Sequence, residues 1–165
     1  MRHLIVLAAF LAGTSGVASA EVWEVDGEWV IKTSKENTSR CYASRELSDG
    51  SEVQIGTETT LDGGYFAIYN ASWTHIEDGE IGTVEFDFGT SRFGGEARGK
   101  IEAGVPGGYV FFNNPSFVQD FARRQTVTIT GEQGTEFSLD LTGSSRAIRK
   151  VLACQDAQPA SEERE

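Results

Sequence analysis

The chain has 165 residues, of which 25 are acidic and 14 are basic, so its formal net charge at neutral pH is −11. A negative charge of this size argues against nucleic acids and anionic membrane surfaces as binding partners. Charged residues make up 24% of the chain and hydrophobic residues 39%, which is typical of a folded protein and excludes a chain that is disordered throughout. A chain of this length builds one hydrophobic core and therefore one domain.

The beginning of the chain has the features of a secretory signal peptide. Arg2 and His3 form a short basic start, residues 4–11 are an unbroken apolar run, and residues 18–20 read Ala-Ser-Ala, which matches an A-x-A cleavage site. The apolar run is shorter than the ~20 residues that span a bilayer, so we expect cleavage rather than a membrane anchor.

Three parts are therefore predicted along the chain. Residues 1–20 are the signal peptide, residues 21–154 form a single β-rich domain, and residues 155–165 are a flexible polar tail. We expect the mature protein to be periplasmic or secreted and not to span a membrane.

Short runs of alternating apolar and polar residues indicate β-strands. In the clearest run, Val84, Phe86 and Phe88 alternate with polar side chains, which gives the strand one dry face and one wet face. Such alternation is typical of antiparallel sheets. We predict an all-β sandwich or closed barrel of about eight to nine strands. The glycine-rich segments at residues 94–95 and 104–108 are interpreted as hairpin turns.

Two short helices interrupt the strand pattern, at about residues 115–124 and 144–154. Asn114 suits the N-cap of the first helix and Pro115 suits its first helical position. Ser144 or Ser145 is expected to cap the second helix. The apolar side chains at helical spacing that predict its buried stripe are Ala147, Ile148, Val151, Leu152 and Cys154.

Cys41 and Cys154 are the two cysteines of the chain. In an oxidising compartment two cysteines are read first as a disulfide, which here would pin the second helix to the strand that carries Cys41. A metal pair or a reactive thiol are the alternatives. Neither cysteine has a second Cys or a His at short spacing, which makes a zinc site a poor fit.

The residues with catalytic potential do not form a recognisable constellation. His75 lies near Ser72 and Asp78 in sequence, but neighbours on one strand rarely converge into a triad, and the chain has no Gly-x-Ser-x-Gly elbow. A structural or surface histidine is the favoured interpretation. We therefore predict no catalytic residue and no enzymatic activity.

Acidic residues cluster at positions 77–80 and at Glu85 and Asp87. Their spacing does not fit the twelve-residue calcium loop, and a glycosidase pair would need a deep cleft. A solvated acidic face explains them better, so no metal and no cofactor are predicted. The sequons at Asn37 and Asn70 matter only if the host glycosylates exported chains.

Two groups of residues are candidates for binding. Cations at the ends and outer faces of the two helices are candidate partner-binding residues, although favourable placement near helix C-termini explains them nearly as well; they are Arg123, Arg124, Arg146, Arg149 and Lys150. Aromatic side chains that could line a ligand cavity, or simply pack in the core, are Trp23, Trp29, Tyr65, Tyr69 and Trp73.

Residues 137–154 read Phe-Ser-Leu-Asp-Leu-Thr-Gly-Ser-Ser-Arg-Ala-Ile-Arg-Lys-Val-Leu-Ala-Cys, which is a strand, a glycine and a short helix. Together with Trp29 and Cys41, this ending resembles small exported proteins of alphaproteobacteria, most of them uncharacterised. It is also similar to the ending of the invasion-associated locus B family. The resemblance implies a periplasmic or envelope location without an obvious enzymatic activity, and it assigns no functional residue.

The sequence thus predicts a non-enzymatic periplasmic or envelope protein that binds another protein or an envelope component of unknown identity. The alternative is a β-barrel that binds a small apolar ligand. A continuous internal pocket lined by Phe66, Ile68 and Phe86 would favour the alternative, whereas an exposed flat apolar patch would favour partner binding.

Overall fold

A computed structural model describes residues 20–34, 40–58 and 61–159. The predicted signal peptide, apart from Ala20, lies outside the described residues, as do the Asn37 sequon and the end of the predicted tail. The strands are β1 (Glu21–Asp26), β2 (Trp29–Thr33), β3 (Cys41–Glu46), β4 (Glu52–Glu58), β5 (Gly63–Tyr69), β6 (Ile81–Asp87), β7 (Arg92–Glu102), β8 (Val105–Phe112), β9 (Thr126–Gly131) and β10 (Glu136–Asp140), and the helices are α1 (Pro115–Arg123) and α2 (Ser144–Asp156).

All ten strands belong to one antiparallel sheet, in the order β1-β2-β3-β4-β5-β8-β7-β6-β9-β10. The sheet curves around the two helices but does not close, because β1 and β10 remain its edges. The all-β prediction is confirmed, and the described chain holds ten strands where eight to nine were expected. Both predicted helices are present, and their bounds differ from the prediction by one or two residues.

Helix α1 fills one end of the space inside the curved sheet. The Asn114 side chain accepts a hydrogen bond from the Ser116 N–H at 3.0 Å and Pro115 occupies the first turn, as the sequence predicts. Phe117 and Phe121 lie on the buried face of this helix. The Phe117 ring lies 5.0 Å from the ring of Phe86, at the edge-to-face geometry that aromatic pairs prefer.

Helix α2 packs across the inner face of β1 to β4. Its buried side chains include Ala147, Val151 and Cys154, and Cys154 forms a disulfide with Cys41 at a Cα–Cα distance of 6.0 Å. The predicted disulfide is therefore present in the structure. Leu152, which was expected in the buried stripe, is 51% exposed, because the stripe on this face is narrower than the spacing suggested.

The predicted serine cap of α2 is wrong. Gly143 occupies the N-cap position with a φ of 83°, a left-handed conformation that glycine adopts without strain. A Cβ atom at this position would lie 3.3 Å from the Trp29 ring. Ser144 instead turns inward and donates its hydroxyl to the Phe121 carbonyl at 2.8 Å, which joins the two helices.

One corner of the molecule brings the end of β10 against β2 and β3. The Trp29 indole N–H donates to the Thr142 carbonyl at 3.0 Å, and the Arg45 guanidinium donates to the Asp140 carbonyl at 2.9 Å. Arg45 also pairs with Glu28 at 2.6 Å. These contacts connect the segment at the end of β10 to β2 and β3.

The outer face of the sheet carries a second cluster, built from tyrosines and glycines. Tyr42, Tyr65 and Tyr69 are buried on this face. The Tyr65 ring lies against Gly56, where a Cβ atom would come within 2.7 Å of it, and the Tyr69 ring lies against Gly107. Burial raises the pKa of both phenols far above the usual range, so these tyrosines act as neutral groups.

Four of the five glycines that were interpreted as turn residues lie inside strands, whereas Gly104 does lie in a hairpin turn. Gly94 and Gly95 belong to β7, while Gly107 and Gly108 belong to β8. The actual turn between these strands is formed by Ala103 and Gly104, which both have positive φ values. The pattern misled the prediction because glycines inside strands look the same in sequence as turn glycines, whether they receive a ring, as Gly107 receives Tyr69, or face open space, as Gly108 does.

We predict that removing the disulfide by Cys154→Ser will lower the free energy of unfolding by ~2–5 kcal/mol and release α2 first. The physical reason is that a helix of this length is marginal without tertiary support. Thermal melts and a thiol count on denatured, alkylated protein test this. A variant that melts with the wild type, or two free thiols in the exported protein, would contradict a structural role.

We predict that Gly56→Ala will destabilise the fold by ~1–3 kcal/mol, since the added methyl group overpacks a filled site. The new Cβ atom would lie 2.6 Å from the Tyr42 Cβ and 2.8 Å from the Cys41 carbonyl oxygen, neither of which can move independently of the backbone. Gly95→Ala is the matched control, because a Cβ atom there meets nothing within 4 Å. Equal urea midpoints for the two variants would refute the packing role of Gly56.

Candidate functional site

The predicted basic residues on α2 face the edge strand β1. Arg146 pairs with Asp26 at 3.2 Å, and Lys150 pairs with Asp26 at 3.5 Å and with Glu24. The hydrogen bond from Arg146 lowers the pKa of the Asp26 carboxyl below its ordinary value, and Lys150 adds to this effect. Two of the five candidate cations thus hold β1 against the helix.

The other three candidate cations lie around the ends and outer surface of the helices. Arg124 pairs with Asp120 at 3.5 Å, and Arg149 donates to the Ser145 hydroxyl at 2.9 Å. Arg123 is exposed in the last turn of α1. The structure does not bring all five cations together as one free patch, and a partner-binding role for them stays a prediction.

Strand β1 presents an apolar surface at the edge of the sheet. Val22 is 57% exposed, Trp23 48% and Val25 61%. The register between β1 and β2 shifts between Val22 and Glu24, so Trp23 lies in a bulge. Within the described chain β1 pairs with β2 alone, which leaves the other side of its backbone without a strand.

A cavity of about 300 Å³, here called the end cavity, opens at the end of the sheet opposite α1. Its apolar lining comes from β5, β6, β7, β9, β10 and the segment before β6, and comprises Ile68, Trp73, Ile76, Val84, Ala97, Ile129 and Phe137. The other lining residues are polar side chains at the opening, among them His75, Arg98 and Glu132, and several glycines.

Of the predicted cavity aromatics, only Trp73 lines the end cavity. Trp29 is in the core, Trp23 is exposed, and Tyr65 and Tyr69 lie on the outer face.

One wall of the end cavity is the segment 70–80, here called the end loop. The Asn70 side chain donates to the Ser51 hydroxyl at 2.9 Å and accepts from the Ser72 N–H at 2.8 Å. The buried Asn70 amide thus serves the fold, which leaves its sequon side chain inaccessible. At the other end of the loop, Asp78 accepts a hydrogen bond from the Ile101 N–H at 3.1 Å.

The predicted triad candidates lie in this loop without converging. The Ser72 hydroxyl donates to the Asn70 side chain at 2.6 Å, and Asp78 is hydrogen-bonded to the β7 backbone.

The acidic pair on β6 lies on either side of a cation: Arg92 is 3.6 Å from Glu85 and 2.7 Å from Asp87. Among the described residues there is no group of three or more potential metal ligands, and no helix has the length and apolar character to cross a bilayer.

Comparison with known proteins gives a fold and no family. Neither a protein-family model nor a curated protein matches the sequence. The crystal structure of invasion associated protein b from Bartonella henselae superposes with a TM-score of 0.56 at 12% identity. The superposition covers 81% of this chain and 97% of that one. The similarity suggested by residues 137–154 therefore extends to the fold, and at this identity to the fold alone.

Sequence reasoning missed both the edge position of β1 and the end cavity. The signal for the edge was present in residues 21–26, where three apolar residues are interspersed with three acidic ones, because a strand with charges on one face and apolar side chains on the other does not fit the middle of a buried sheet. The signal for the cavity was the row of glycines in β7 and β8. Both signals become readable only when the strand order is known.

We predict that Arg146→Gln will loosen β1 while Arg149→Gln, the matched control, will not. The NMR signals of the β1 backbone should weaken selectively in the first variant. The pKa of Asp26 lies below its ordinary value of 3.8, so the contribution of the ion pair is complete above that pH and is lost as the pH falls through the folded-state pKa. Wild-type β1 should therefore loosen only in strong acid, and equal behaviour of both variants would contradict this role of Arg146.

Proposed function

We propose that this is an exported, non-enzymatic protein of the periplasm or envelope that binds a partner protein through the edge strand β1. The observation that carries the proposal is the exposure of three large apolar side chains on the free edge of a long sheet. An edge strand has unpaired backbone N–H and C=O groups and is a template for an added strand.

Export is supported by two features. The chain begins with a basic start, an apolar run and an Ala-Ser-Ala site, and its two cysteines are joined across 113 residues. Disulfides of this kind persist in oxidising compartments outside the cytoplasm. The fold shared with invasion associated protein b is compatible with this location.

The interior near α1 favours partner binding over the barrel-cavity alternative. Phe66, Ile68 and Phe86 were expected to line a continuous internal pocket in that alternative, and of these Ile68 does line the end cavity, whereas the two phenylalanines do not. Instead the centroids of their rings lie 5.2 Å apart, and each residue is only 2% exposed. The centre of the molecule is therefore packed, and the apolar surface left for binding lies on β1 and in the end cavity.

Edge strands are commonly protected by charges, bulges or brevity. Strand β1 has a bulge and three acidic residues, and it still exposes Val22, Trp23 and Val25. Tryptophan is enriched among the residues that dominate binding energy at interfaces. A partner segment in extended conformation would pair with the backbone of β1 and pack on these side chains, the mode known as β-augmentation.

Charge selects against self-pairing. Each copy of β1 would bring three acidic residues, Glu21, Glu24 and Asp26, whereas only two cations of each copy, Arg146 and Lys150, pair with this strand. Like charges in directly opposite positions destabilise a strand pair. The net charge of −11 acts in the same direction. We therefore commit to an apolar partner segment that carries Lys or Arg, rather than to a second copy of this chain.

The test begins with the mature protein as bait in an extract of the native envelope, followed by purification of the captured protein and measurement of its dissociation constant. Trp23→Ser and Val25→Ser should each weaken binding at least tenfold, which is about 1.4 kcal/mol. Ile81→Ser is the matched control, because Ile81 is an apolar side chain of similar exposure, 52%, on another strand.

Each variant should retain the wild-type melting temperature, since the mutated side chains are exposed. A purified partner that binds both β1 variants with wild-type affinity would refute the proposal. The same holds if Ile81→Ser weakens binding as much as the β1 variants do, or if the mature protein proves to associate only with itself.

A further inference from the structure

The space inside the curved sheet is filled at one end and open at the other. Near α1, phenylalanine side chains from the strands and from α1 contact one another. Near the end loop, the inward positions of the strands are occupied by glycine instead. Gly108 pairs with Ile68 and shares its inward face, yet a Cβ atom at Gly108 meets nothing within 4 Å. The end cavity is thus a space from which side chains are missing.

The end loop, which forms the wall beside Gly108, is held by hydrogen bonds to β7. The Gly79 N–H donates to the Gly99 carbonyl at 2.8 Å, and the Gly99 N–H donates to the Glu80 carbonyl at 2.7 Å. A Cβ atom at Gly99 would collide with the Glu77 carbonyl oxygen, so glycine is required for this close approach of the end loop. With Asn70 fixed at its start, the loop holds Trp73 in place and the cavity is preformed.

The size of the end cavity limits the ligand. A dry apolar cavity of about 150 Å³ holds benzene, and the end cavity has about 300 Å³. A cavity with twice the volume of one that holds benzene accommodates a fused bicyclic ring system or a group of similar size. Volumes of about 300 Å³ lie at the lower end of the range for small-molecule sites, which favours a compact ring system as the part of the ligand that is buried.

Charge at the opening indicates the polar part of the ligand. Arg98 is paired with Glu96 at 3.0 Å, and the Glu80 carboxylate accepts a hydrogen bond from the Glu77 N–H. In the part of the chain that the structure describes, the Glu132 carboxylate has no hydrogen bond or ion pair of its own. Its Oε2 atom lies over Gly82 at the cavity, 2.9 Å from where a Cβ atom would be.

We infer that the end cavity is a binding site for a small cationic aromatic molecule, namely an amine attached to a bicyclic ring. The ring occupies the apolar space in front of Gly108 and beside Trp73, and the ammonium group lies at the opening, where Glu132 accepts its hydrogen bonds. Trp73 adds a ring face that attracts a cation. This site is separate from β1 and does not depend on the function proposed above.

The experiment compares three molecules that share one ring system: tryptamine, which is cationic, 3-methylindole, which is neutral, and indole-3-acetate, which is anionic. Titration of the mature protein is followed by NMR, and the affected signals should be those of the end loop and of β7, β8 and β9. Tryptamine should bind most tightly and indole-3-acetate most weakly. Absence of tryptamine binding, or tighter binding of the anion, would overturn the inference.

Two variants test where the ligand binds. Gly108→Leu should abolish binding of tryptamine and of 3-methylindole, because the new side chain fills the apolar space. Gly94→Leu is the matched control, since this strand glycine opposes Glu85 on the outer face and its Cβ atom would make only an ordinary contact, at 3.8 Å. Binding that survives Gly108→Leu, or that is lost in Gly94→Leu as well, would place the ligand elsewhere.

Glu132→Gln tests the charge. Because Glu132 is exposed and exposed ion pairs contribute little, tryptamine affinity should fall only about two- to fivefold, whereas 3-methylindole affinity should stay unchanged. An equal loss for both molecules would show that Glu132 shapes the cavity without recognising a cation, and this would overturn the amine assignment.

Discussion

The attachment of α2 to the inner face of the first four strands is the constraint on which the rest of the structure depends. Trp29, Ile31 and Ala43 are buried on that face, and without α2 they would face water. The disulfide fixes the helix at its last turn, where the Gln155 side chain also accepts hydrogen bonds from the Cys41 N–H at 2.9 Å and the Thr57 hydroxyl at 2.6 Å. Covalent and polar contacts therefore act at one point, where the first strands meet the last helix.

This attachment also determines what β1 can do. A strand at a sheet edge is held on one side only, and in this protein the helix that closes the core supplies the two cations that hold β1 from its inner side. The outer side remains available to a partner. The residues that stabilise the edge and the residues that would bind are thus on opposite sides of the same strand, so each role can be altered without the other.

Glycine has an unusual structural role in this fold. At Gly56 and Gly107 the missing side chain makes room for a tyrosine ring on the outer face, and at Gly99 it admits the backbone of a loop. At Gly108 it leaves open space on the inner face. The same residue type therefore produces tight packing at one place and a cavity at another, and the difference arises from what the neighbouring strands and loops supply.

The class of fold, both helices and the pairing of the cysteines can be predicted from the sequence alone. Alternation along the chain defines strands and their buried faces, the Asn114-Pro115 pair marks a helix start, and two cysteines allow a single intramolecular bridge. These signals are local or have few alternatives. The strand order, the free edge of β1, the Gly143 cap and the cavity in front of Gly108 were decided by the tertiary structure. Each of them depends on which distant segment lies beside a residue, and contacts between residues far apart in the chain leave no periodic trace in either partner.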